Sequence, residues 1–346
     1  MRISLFGGYG ISRIIKGGWH LAGDHGVIDP AQAVRDMAAF VEGGINTFDC
    51  ADIYTGVEAL IGRFRMAFPR LAQEVRVHTK FIPDLRMLAQ VNFAHVERSI
   101  DRSLARLHMQ RLDLVQLHWW DYAVPGYVEA ALALARLREK GKLAHIGVTN
   151  FDVPHLTEIL DAGVPVVSMQ AQYSLLDERP ANGMIELCQN KDIAIFCYGT
   201  VAGGFLSDRW LGRREPTGDL SNRSLVKYKL IIDDFGGWDL FQQLLETLSG
   251  IAGKHSCDIA TVASRAMLDR KHVAAIIVGA TNAEHLHANR MIADLRLSTA
   301  DMQAIGAVLR QRQGPRGDVY SLERDRTGRH GRIMKYDLHQ KENLAT

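Results

Sequence analysis

Six short β-branched runs of the sequence end in polar residues. These residues are Asp49, Lys80, His118, the pair Thr149-Asn150, Gln170 and Tyr198. A further phenol, Tyr54, follows Asp49 by five residues in the segment Cys-Ala-Asp-Ile-Tyr. Carboxylate, ammonium, imidazole and phenol groups are the side chains that transfer protons to and from substrates. If one scaffold brings these positions together, we expect acid–base chemistry on a small molecule.

The elements that must position these residues alternate regularly along the chain. Candidate strands cover residues 45–49, 75–80, 112–118, 144–149, 166–170, 194–198 and 274–278, with an eighth near 17–21. Segments with helical spacing cover residues 93–107, 127–140, 153–162, 184–190, 240–254 and 283–293. Repeated strand–helix units predict parallel strands, and eight of them favour an α/β fold of the (β/α)8 TIM-barrel type. Active sites of such barrels lie at the C-terminal ends of the strands, so the polar residues should surround one mouth.

The predicted organisation is a single domain over residues 1–346, with a barrel core at about 15–300. Two segments depart from the alternation. One is a long polar loop after strand 7, at residues 205–238, and the other is a C-terminal extension at about 311–346, rich in Arg. Long segments of this kind are usually functional in compact domains.

Composition excludes several classes of function. The formal net charge of +2 gives no basic field for nucleic acid, and no apolar run reaches the roughly 18 residues of a membrane span. The four cysteines are scattered and the amino terminus lacks an apolar signal segment, so we expect reduced thiols and a cytoplasmic location. The 14 histidines show no metal-ligand spacing, so no metal site is predicted.

The motifs around the polar residues resemble those of the aldo-keto reductase family. The segment Asp49-Cys-Ala-Asp-Ile-Tyr54 is similar to the Asp-x-Ala-x-x-Tyr signature. His-Thr-Lys80 resembles the family's lysine strand, residues 112–118 its histidine strand, and residues 146–151 its carboxamide-binding strand. The segments that begin at Gln170 and Tyr198 match the next two motifs. The resemblance covers roughly residues 15 to 300, in order.

The resemblance implies a catalytic tetrad of Asp49, Tyr54, Lys80 and His118. The implied enzyme is an NAD(P)-dependent oxidoreductase that reduces an aldehyde or ketone to an alcohol, or runs the reverse reaction, with Tyr54 as general acid/base. A lysine ammonium about 4 Å away favours a phenolate by roughly 4 kcal/mol at an effective dielectric near 20. This corresponds to about three pKa units, so we expect Lys80 to bring the pKa of Tyr54 towards neutrality. Asp49 would hold Lys80, and a neutral His118 would hydrogen-bond the substrate carbonyl and align it.

The resemblance also implies a nicotinamide cofactor. The cofactor residues it points to are Thr149, Asn150 and Gln170 at the carboxamide, Tyr198 on the nicotinamide ring, Gly199, Thr200, Val201 and Ala202 at the pyrophosphate, and Gly279, Thr281, His285 and Asn289 at the adenosine end. Where many members carry Lys, Arg and Glu to grip the 2′-phosphate and adenine, this chain has Gly279, His285 and Ala288. NADP(H) is favoured and NAD(H) remains the alternative, with Arg residues of the 205–238 segment as another source of positive charge.

Three tryptophans, Trp19, Trp119 and Trp120, are expected to wall a pocket for a small carbonyl or alcohol substrate, although Trp120 fits ordinary packing equally well. Residues 314–322 of the extension would border the same pocket, as the family's C-terminal segment often does. Two other functions compete with the reductase. One is a non-catalytic cofactor-binding subunit of a larger assembly, and the other is a lyase or aldolase that uses Lys80 as a Schiff base. The sequence predicts neither the physiological substrate nor the oligomeric state.

Overall fold

Eight parallel strands close into a barrel in the described part of the chain. The computed structural model describes residues 1–22, 28–218, 220 and 222–339. The barrel strands are β3 (Ile14–Gly17), β4 (Thr47–Asp49), β5 (Arg76–Phe81), β6 (Leu112–Leu117), β7 (Leu143–Thr149), β8 (Val166–Gln172), β9 (Ala194–Tyr198) and β10 (Val273–Gly279). Each pairs with its neighbours in chain order, and β10 pairs with both β9 and β3. The predicted (β/α)8 fold is confirmed.

Helices connect the strands and cover the outside of the barrel. Those between and after the strands are α1 (Pro30–Glu42), α2 (Val57–Ala67), α3 (Pro69–Ala72), α4 (Phe93–Leu107), α5 (Tyr127–Glu139), α6 (Val153–Asp161), α7 (Met184–Asn190), α8 (Arg223–Phe235), α9 (Gly237–His255), α10 (Ile259–Leu268), α11 (Leu286–Asp294) and α12 (Thr299–Leu309). Side-chain caps define several starts, since Asn92 accepts from His95 N and Asp152 from His155 N. These helices therefore begin directly after the loops that follow the strands, and the caps fix the ends of those loops.

The alternation of side chains along the strands divides the core into two clusters. Ile15, Leu114, Phe196 and Ala275 belong to one small cluster, together with Ile11 of the amino-terminal hairpin. That hairpin consists of β1 (Arg2–Ser4) and β2 (Gly10–Ser12). The larger cluster lies beneath the helices. Because the strands are parallel and in register, their polar C-terminal residues meet at one end of the barrel.

The structure corrects the position of the first barrel strand. We expected it near residues 17–21, but β3 spans Ile14–Gly17, and residues 19–21 form a 3₁₀ turn. The β-branched pair Ile14-Ile15 favours the strand, whereas Gly18 must turn the chain closely past β4. Gly18 N donates to Asp49 O at 2.7 Å, and a Cβ at Gly18 would lie 2.8 Å from that oxygen. The turn carries Trp19 to the barrel mouth.

The segment at residues 205–238, which follows β9 (the seventh strand of the barrel), contains a helix in its second half. Helix α8 begins after Asn222, whose side chain accepts from Leu225 N. Its Tyr228, Ile231, Ile232 and Phe235 are buried, which matches the spacing of one helix face. Helix α8 packs against α9 and the turn at Ala202–Gly204, and its amino-terminal half lines the mouth of the barrel.

The extension beyond α12 folds back over the same mouth. It contains two short helices, α13 (Ser321–Arg324) and α14 (Arg329–Arg332). Glu323 binds Arg179 through two hydrogen bonds of 2.8 and 3.0 Å. Farther on, Asp84 Oδ1 accepts from Leu338 N at 2.9 Å and contacts His339 Nδ1 at 2.9 Å. The extension is therefore fixed to the barrel at two places.

Candidate active site

A cavity of about 740 Å³ opens at the C-terminal ends of the barrel strands. Most of the predicted site residues line it: Trp19, Asp49, Tyr54, Lys80, His118, Trp120, Thr149, Asn150, Gln170, Tyr198, Gly199, Thr200, Val201, Gly279, His285 and Asn289. Such a volume is in the range of cofactor and small-molecule sites. The strand ends, the β4–α2 loop and the turn after β10 thus contribute to one cavity.

At the bottom of the cavity, Asp49 and Lys80 form a buried ion pair. Lys80 Nζ lies 2.8 and 2.7 Å from the two carboxylate oxygens and donates to Cys50 O at 2.8 Å. Gln170 Nε2 also donates to Asp49, at 2.7 Å. Burial lowers the pKa of Lys80, but Asp49 and Tyr54 outweigh burial and raise it above its ordinary value. Lys80 is therefore an ammonium, not the neutral amine that a Schiff base needs.

Tyr54 lies above this ion pair, in the loop that joins β4 to α2. The Lys80 ammonium is 5.1 Å from its ring centroid, and the Trp19 ring meets it edge-on at 5.1 Å. Burial raises the pKa of Tyr54 to about 12, although Lys80 lowers it. We expected Lys80 to bring this pKa towards neutrality. Lys80 does lower the pKa, as expected, but the predicted net shift towards neutrality is wrong, because the loss of hydration outweighs the attraction of the ammonium. Near neutral pH Tyr54 is a phenol, which can donate a proton.

His118 follows β6 and is buried. Its Nδ1 lies 3.2 Å from Thr149 O, and since a carbonyl oxygen only accepts, we assign the proton of the neutral ring to Nδ1. Burial, with the positive charge of Arg324, lowers the pKa of His118 to about 3. Nε2 is buried and has no hydrogen-bond partner among the described residues. In this tautomer Nε2 accepts hydrogen bonds; the expected hydrogen bond from His118 to a substrate carbonyl requires the other tautomer and stays a prediction.

The side chains expected at a nicotinamide lie together on one wall. Asn150 Oδ1 accepts from the Tyr198 hydroxyl at 2.8 Å, so Asn150 holds the aromatic ring in place. Thr149 and Gln170 line the cavity next to them. The following loop turns tightly, with positive φ at Gly199 and Gly203, where a Cβ would collide with the Tyr228 ring. The polar side chains and the Tyr198 ring fit the carboxamide and ring of a nicotinamide. The backbone of the glycine loop lies beside them.

The opposite end of the cavity is more open. His285 is exposed, whereas Asn289 is buried and its Nδ2 has no hydrogen-bond partner in the described part of the chain. Gly279 lies directly against His20, because a Cβ at Gly279 would be 1.9 Å from the imidazole Cε1. Arg209 and Arg223, both from the 205–238 segment, also line the cavity. The unpartnered amide and the two guanidinium groups fit the polar, anionic end of a dinucleotide.

Three predicted site residues do not line the cavity. Trp119 is fully buried and donates its indole N–H to Val124 O at 2.9 Å, so its predicted place in the pocket wall is wrong. Ala202 is also fully buried, beneath the glycine-rich loop, and Thr281 is exposed on the outer side of the turn after β10. In contrast, Trp19 and Trp120 do line the cavity.

Sequence reasoning missed a second group of lining residues. Lys227 and Tyr228 come from α8, and Tyr320 with residues 333–335 and 338 comes from the extension. The Tyr320 ring stands perpendicular to the His118 ring, 5.5 Å away. Only Tyr320 lies within the 314–322 segment that we expected near the pocket. The apolar spacing of residues 225–235 was a usable signal for α8, but nothing local in the sequence indicates that the extension folds back.

Two further features bear on function within residues 1–22, 28–218, 220 and 222–339. These residues contain no group of three or more His, Cys, Asp or Glu side chains arranged to hold a metal ion. Within the same ranges, no helix is both long enough and apolar enough to cross a membrane.

Comparisons with known proteins agree with this geometry. The sequence pattern of the Aldo/keto reductase family matches residues 13–310. Flagellar radial spoke protein 5 from Chlamydomonas reinhardtii is 28% identical over 299 aligned residues, which cover 69% of this chain and 56% of that protein. The chain thus spans little more than half of that relative. The NADH-specific methylglyoxal reductase of Escherichia coli strain K12 is 25% identical over 313 aligned residues, covering 84% of this chain and 92% of that reductase.

A solved structure shares the same architecture. Glycerol dehydrogenase from Gluconobacter oxydans superposes with a TM-score of 0.77 and 22% sequence identity, over 91% of this chain and 97% of that chain. At this level of identity the likeness concerns the fold.

Proposed function

The chain belongs to the aldo/keto reductase family, and from this premise we propose that it reduces an aldehyde or ketone to an alcohol with NAD(P)H, or runs the reverse reaction. The observation that carries the proposal is the arrangement of Tyr54 over the buried Lys80–Asp49 ion pair, beside a shelf formed by Asn150 and Tyr198. A bound reduced nicotinamide supplies the hydride. The chain's own residues must hold the carbonyl and supply the proton.

Tyr54 is the proposed general acid. With a pKa of about 12 it is fully protonated near neutral pH, and its hydroxyl can donate a proton to the carbonyl oxygen. The Lys80 ammonium then stabilises the phenolate that remains, while Asp49 keeps that ammonium in place. After the proton transfer, the Nε2 atom of His118 could accept a hydrogen bond from the completed alcohol hydroxyl.

We further propose NADP(H) as the favoured cofactor, with NAD(H) as the alternative. Gly279, His285 and Ala288 carry no permanent positive charge, but Arg209 and Arg223 at the same cavity can supply it for a 2′-phosphate. One relative is named as NADH-specific, so the ratio of kcat/KM for NADPH to that for NADH is the relevant measurement. Equal values would contradict NADP preference.

The proposal is tested by following nicotinamide absorbance in stopped flow. NADPH-loaded protein is mixed with a panel of aldehydes, ketones, sugars and vitamers, and oxidation at the turnover rate is expected with at least one class. Cofactor that binds, as seen by its fluorescence, but stays reduced with every carbonyl would instead support a cofactor-binding subunit. Borohydride trapping of a Lys80 adduct would support a lyase or aldolase. That result would contradict the conclusion that Lys80 is an ammonium.

A further inference from the structure

A lysine at the cavity is unused by the proposed chemistry. Lys227, from the first half of α8, lines the cavity and keeps 15% of its side chain exposed. Its Nζ faces three aromatic rings, with centroid distances of 5.4 Å to Tyr198, 5.7 Å to Tyr228 and 5.4 Å to Tyr320. Aromatic faces stabilise a cation without neutralising it. The charge of Lys227 is therefore held at the cavity wall.

The nearest carboxylate to Lys227 is already occupied. Glu323 Oε1 lies 3.7 Å from Lys227 Nζ, which is long for a hydrogen bond. Arg179 donates to both oxygens of Glu323, at 2.8 and 3.0 Å, and also binds Asp177 at 2.7 Å. Arg179 forms the short hydrogen bonds to Glu323, whereas Lys227 is farther from it. The Lys227 ammonium can therefore also pair with an anionic group of a ligand.

A second cation lies close to the same ring. The guanidinium carbon of Arg324 is 5.4 Å from the Tyr320 centroid and 4.2 Å from that of Tyr122. Its Nη2 donates to Trp119 O at 3.0 Å, while its Nε and Nη1 are buried without a hydrogen-bond partner in the described residues. Arg324 does not itself line the cavity, but it lies against the Tyr320 ring, which is 5.5 Å from His118 at the end where the carbonyl would react.

The carboxylates that line the cavity do not balance these charges. Among the described lining residues they are Asp49, Asp208 and Asp258. Asp49 is paired with Lys80, and Asp208 and Asp258 accept from the backbone N–H groups of Ile259 and Thr261 at the start of α10. Behind the cavity wall, Asp177 and Glu323 offset the charges of Arg179 and Lys227. Among the described residues no lining carboxylate forms an ion pair with Lys227, so its ammonium is the charged group that this end presents between aromatic walls.

We propose that this end of the cavity binds a carbonyl substrate that carries an anionic group, either a carboxylate or a phosphate, and that Lys227 pairs with that group. The inference rests on the proposed function and assigns its substrate class. The aromatic walls would contact the body of the substrate while Tyr54 faces its carbonyl. A charge-assisted hydrogen bond of this kind changes affinity by about 10- to 100-fold.

The test compares matched pairs of charged and neutral aldehydes. The pairs are 4-carboxybenzaldehyde with methyl 4-formylbenzoate, and glyceraldehyde 3-phosphate with glyceraldehyde. The wild type should show a higher kcat/KM for the charged member of at least one pair, and the pair that discriminates identifies carboxylate or phosphate. Lys227→Met should lower kcat/KM for that charged member about 10- to 100-fold and change the neutral member little. Lys227→Arg should restore much of the preference.

Lys229 provides the matched control, two residues along α8. It forms ion pairs with Glu215 and Asp233 and does not line the cavity, so Lys229→Met should leave the preference unchanged. The proposal is overturned if the wild type treats both members of each pair equally. It is also overturned if Lys227→Met slows both members alike while weakening NADPH binding, since Lys227 would then serve the cofactor.

A binding measurement separates this proposal from the proposed function. Terephthalate carries the anionic group but no reducible carbonyl, and its binding can be followed by tryptophan fluorescence with the cofactor present. If Lys227→Met weakens terephthalate binding about tenfold, the anion site stands even for a protein that turns over no aldehyde. Inorganic phosphate serves as the second probe. If neither terephthalate nor phosphate binds the wild type more tightly than Lys227→Met, the anion site is refuted, even for a protein that reduces aldehydes.

Discussion

The two ends of the cavity are built in different ways. At the catalytic end, Asp49, Lys80 and His118 are buried, and each is fixed by hydrogen bonds to strand or strand-end atoms. At the other end, Gly279 and His285 are exposed, and Arg209 and Arg223 of the 205–238 segment line the same cavity. Under the proposed function, the barrel strands supply the catalytic groups, whereas the connecting segments contribute residues that would contact the cofactor and substrate. Substitutions at the two ends should therefore differ in size and in the kinetic constant that they change.

The largest effect is expected for Tyr54→Phe. Removing the hydroxyl removes the proposed proton donor, so kcat for carbonyl reduction should fall by about 10³-fold or more. The ring that faces Lys80 and Trp19 remains, and the dissociation constant for NADPH should stay near that of the wild type. Steady-state kinetics and fluorescence titration measure the two quantities. Wild-type turnover by this variant would refute the role of Tyr54.

The pH dependence should differ between the two directions of the reaction. Reduction needs the phenol, and because the pKa of Tyr54 is about 12, kcat/KM should be flat from about pH 6 to 9. Alcohol oxidation needs the phenolate, so its kcat/KM should rise about tenfold per pH unit over this range. His118, with a pKa of about 3, should add no inflection. A break near pH 6.5 in either profile would contradict the neutral imidazole.

Asp49→Asn should reduce stability as well as activity. It leaves the Lys80 ammonium buried without its carboxylate, and breaking such a pair costs about 3–5 kcal/mol in the free energy of unfolding. Asp101→Asn breaks the exposed pair with Lys142, for which we expect less than about 1 kcal/mol. Chemical denaturation of both variants gives the comparison. Equal losses would mean that the catalytic end is no more tightly fixed than the surface.

A smaller effect, confined to the cofactor, is expected for Arg223→Ala. Loss of this guanidinium from the cavity should raise KM for NADPH by about tenfold, leave KM for NADH nearly unchanged, and preserve kcat. Arg214 lies in the same segment but is exposed and away from the cavity, and Arg214→Ala serves as the control. If the two variants behave alike, Arg223 does not recognise the 2′-phosphate.

The smallest effect is expected for His285→Ala. The side chain is exposed, so water and salt screen any contact with a phosphate, and KM for NADPH should change by less than about threefold. His287→Ala is the matched control, because His287 is also exposed but does not line the cavity. A loss of tenfold or more at His285 alone would show that this end is more specific than its exposure suggests.

The sequence predicted the site residues at the ends of the strands. It did not predict most of the lining residues that come from α8 and the C-terminal extension. Asp49, Lys80, His118 and Gln170 could be placed because residues at the ends of parallel strands must meet at one mouth. Lys227 and Tyr320 could not be placed, because their positions depend on long-range contacts such as that of Arg179 with Glu323. These contacts leave no periodic signal in the chain.

The electrostatics of the site were also beyond the sequence. The motif puts Lys80 near Tyr54, but the pKa of Tyr54 depends on how far both groups are removed from water, which only the folded structure gives. In the same way, a glycine at position 279 can be noted in the sequence, whereas the imidazole of His20 that lies against it cannot.

The folded-back extension gives this barrel an order of completion during synthesis. The wall that contains Tyr320, and the Glu323 that binds Arg179, are translated only after the last barrel strand has been made. A barrel without these residues would contain Lys80 and Asp49, but its pocket would lack one wall and Arg179 would keep Asp177 as a partner without Glu323. The residues that complete the pocket wall are therefore among the last described parts of the fold to be synthesised.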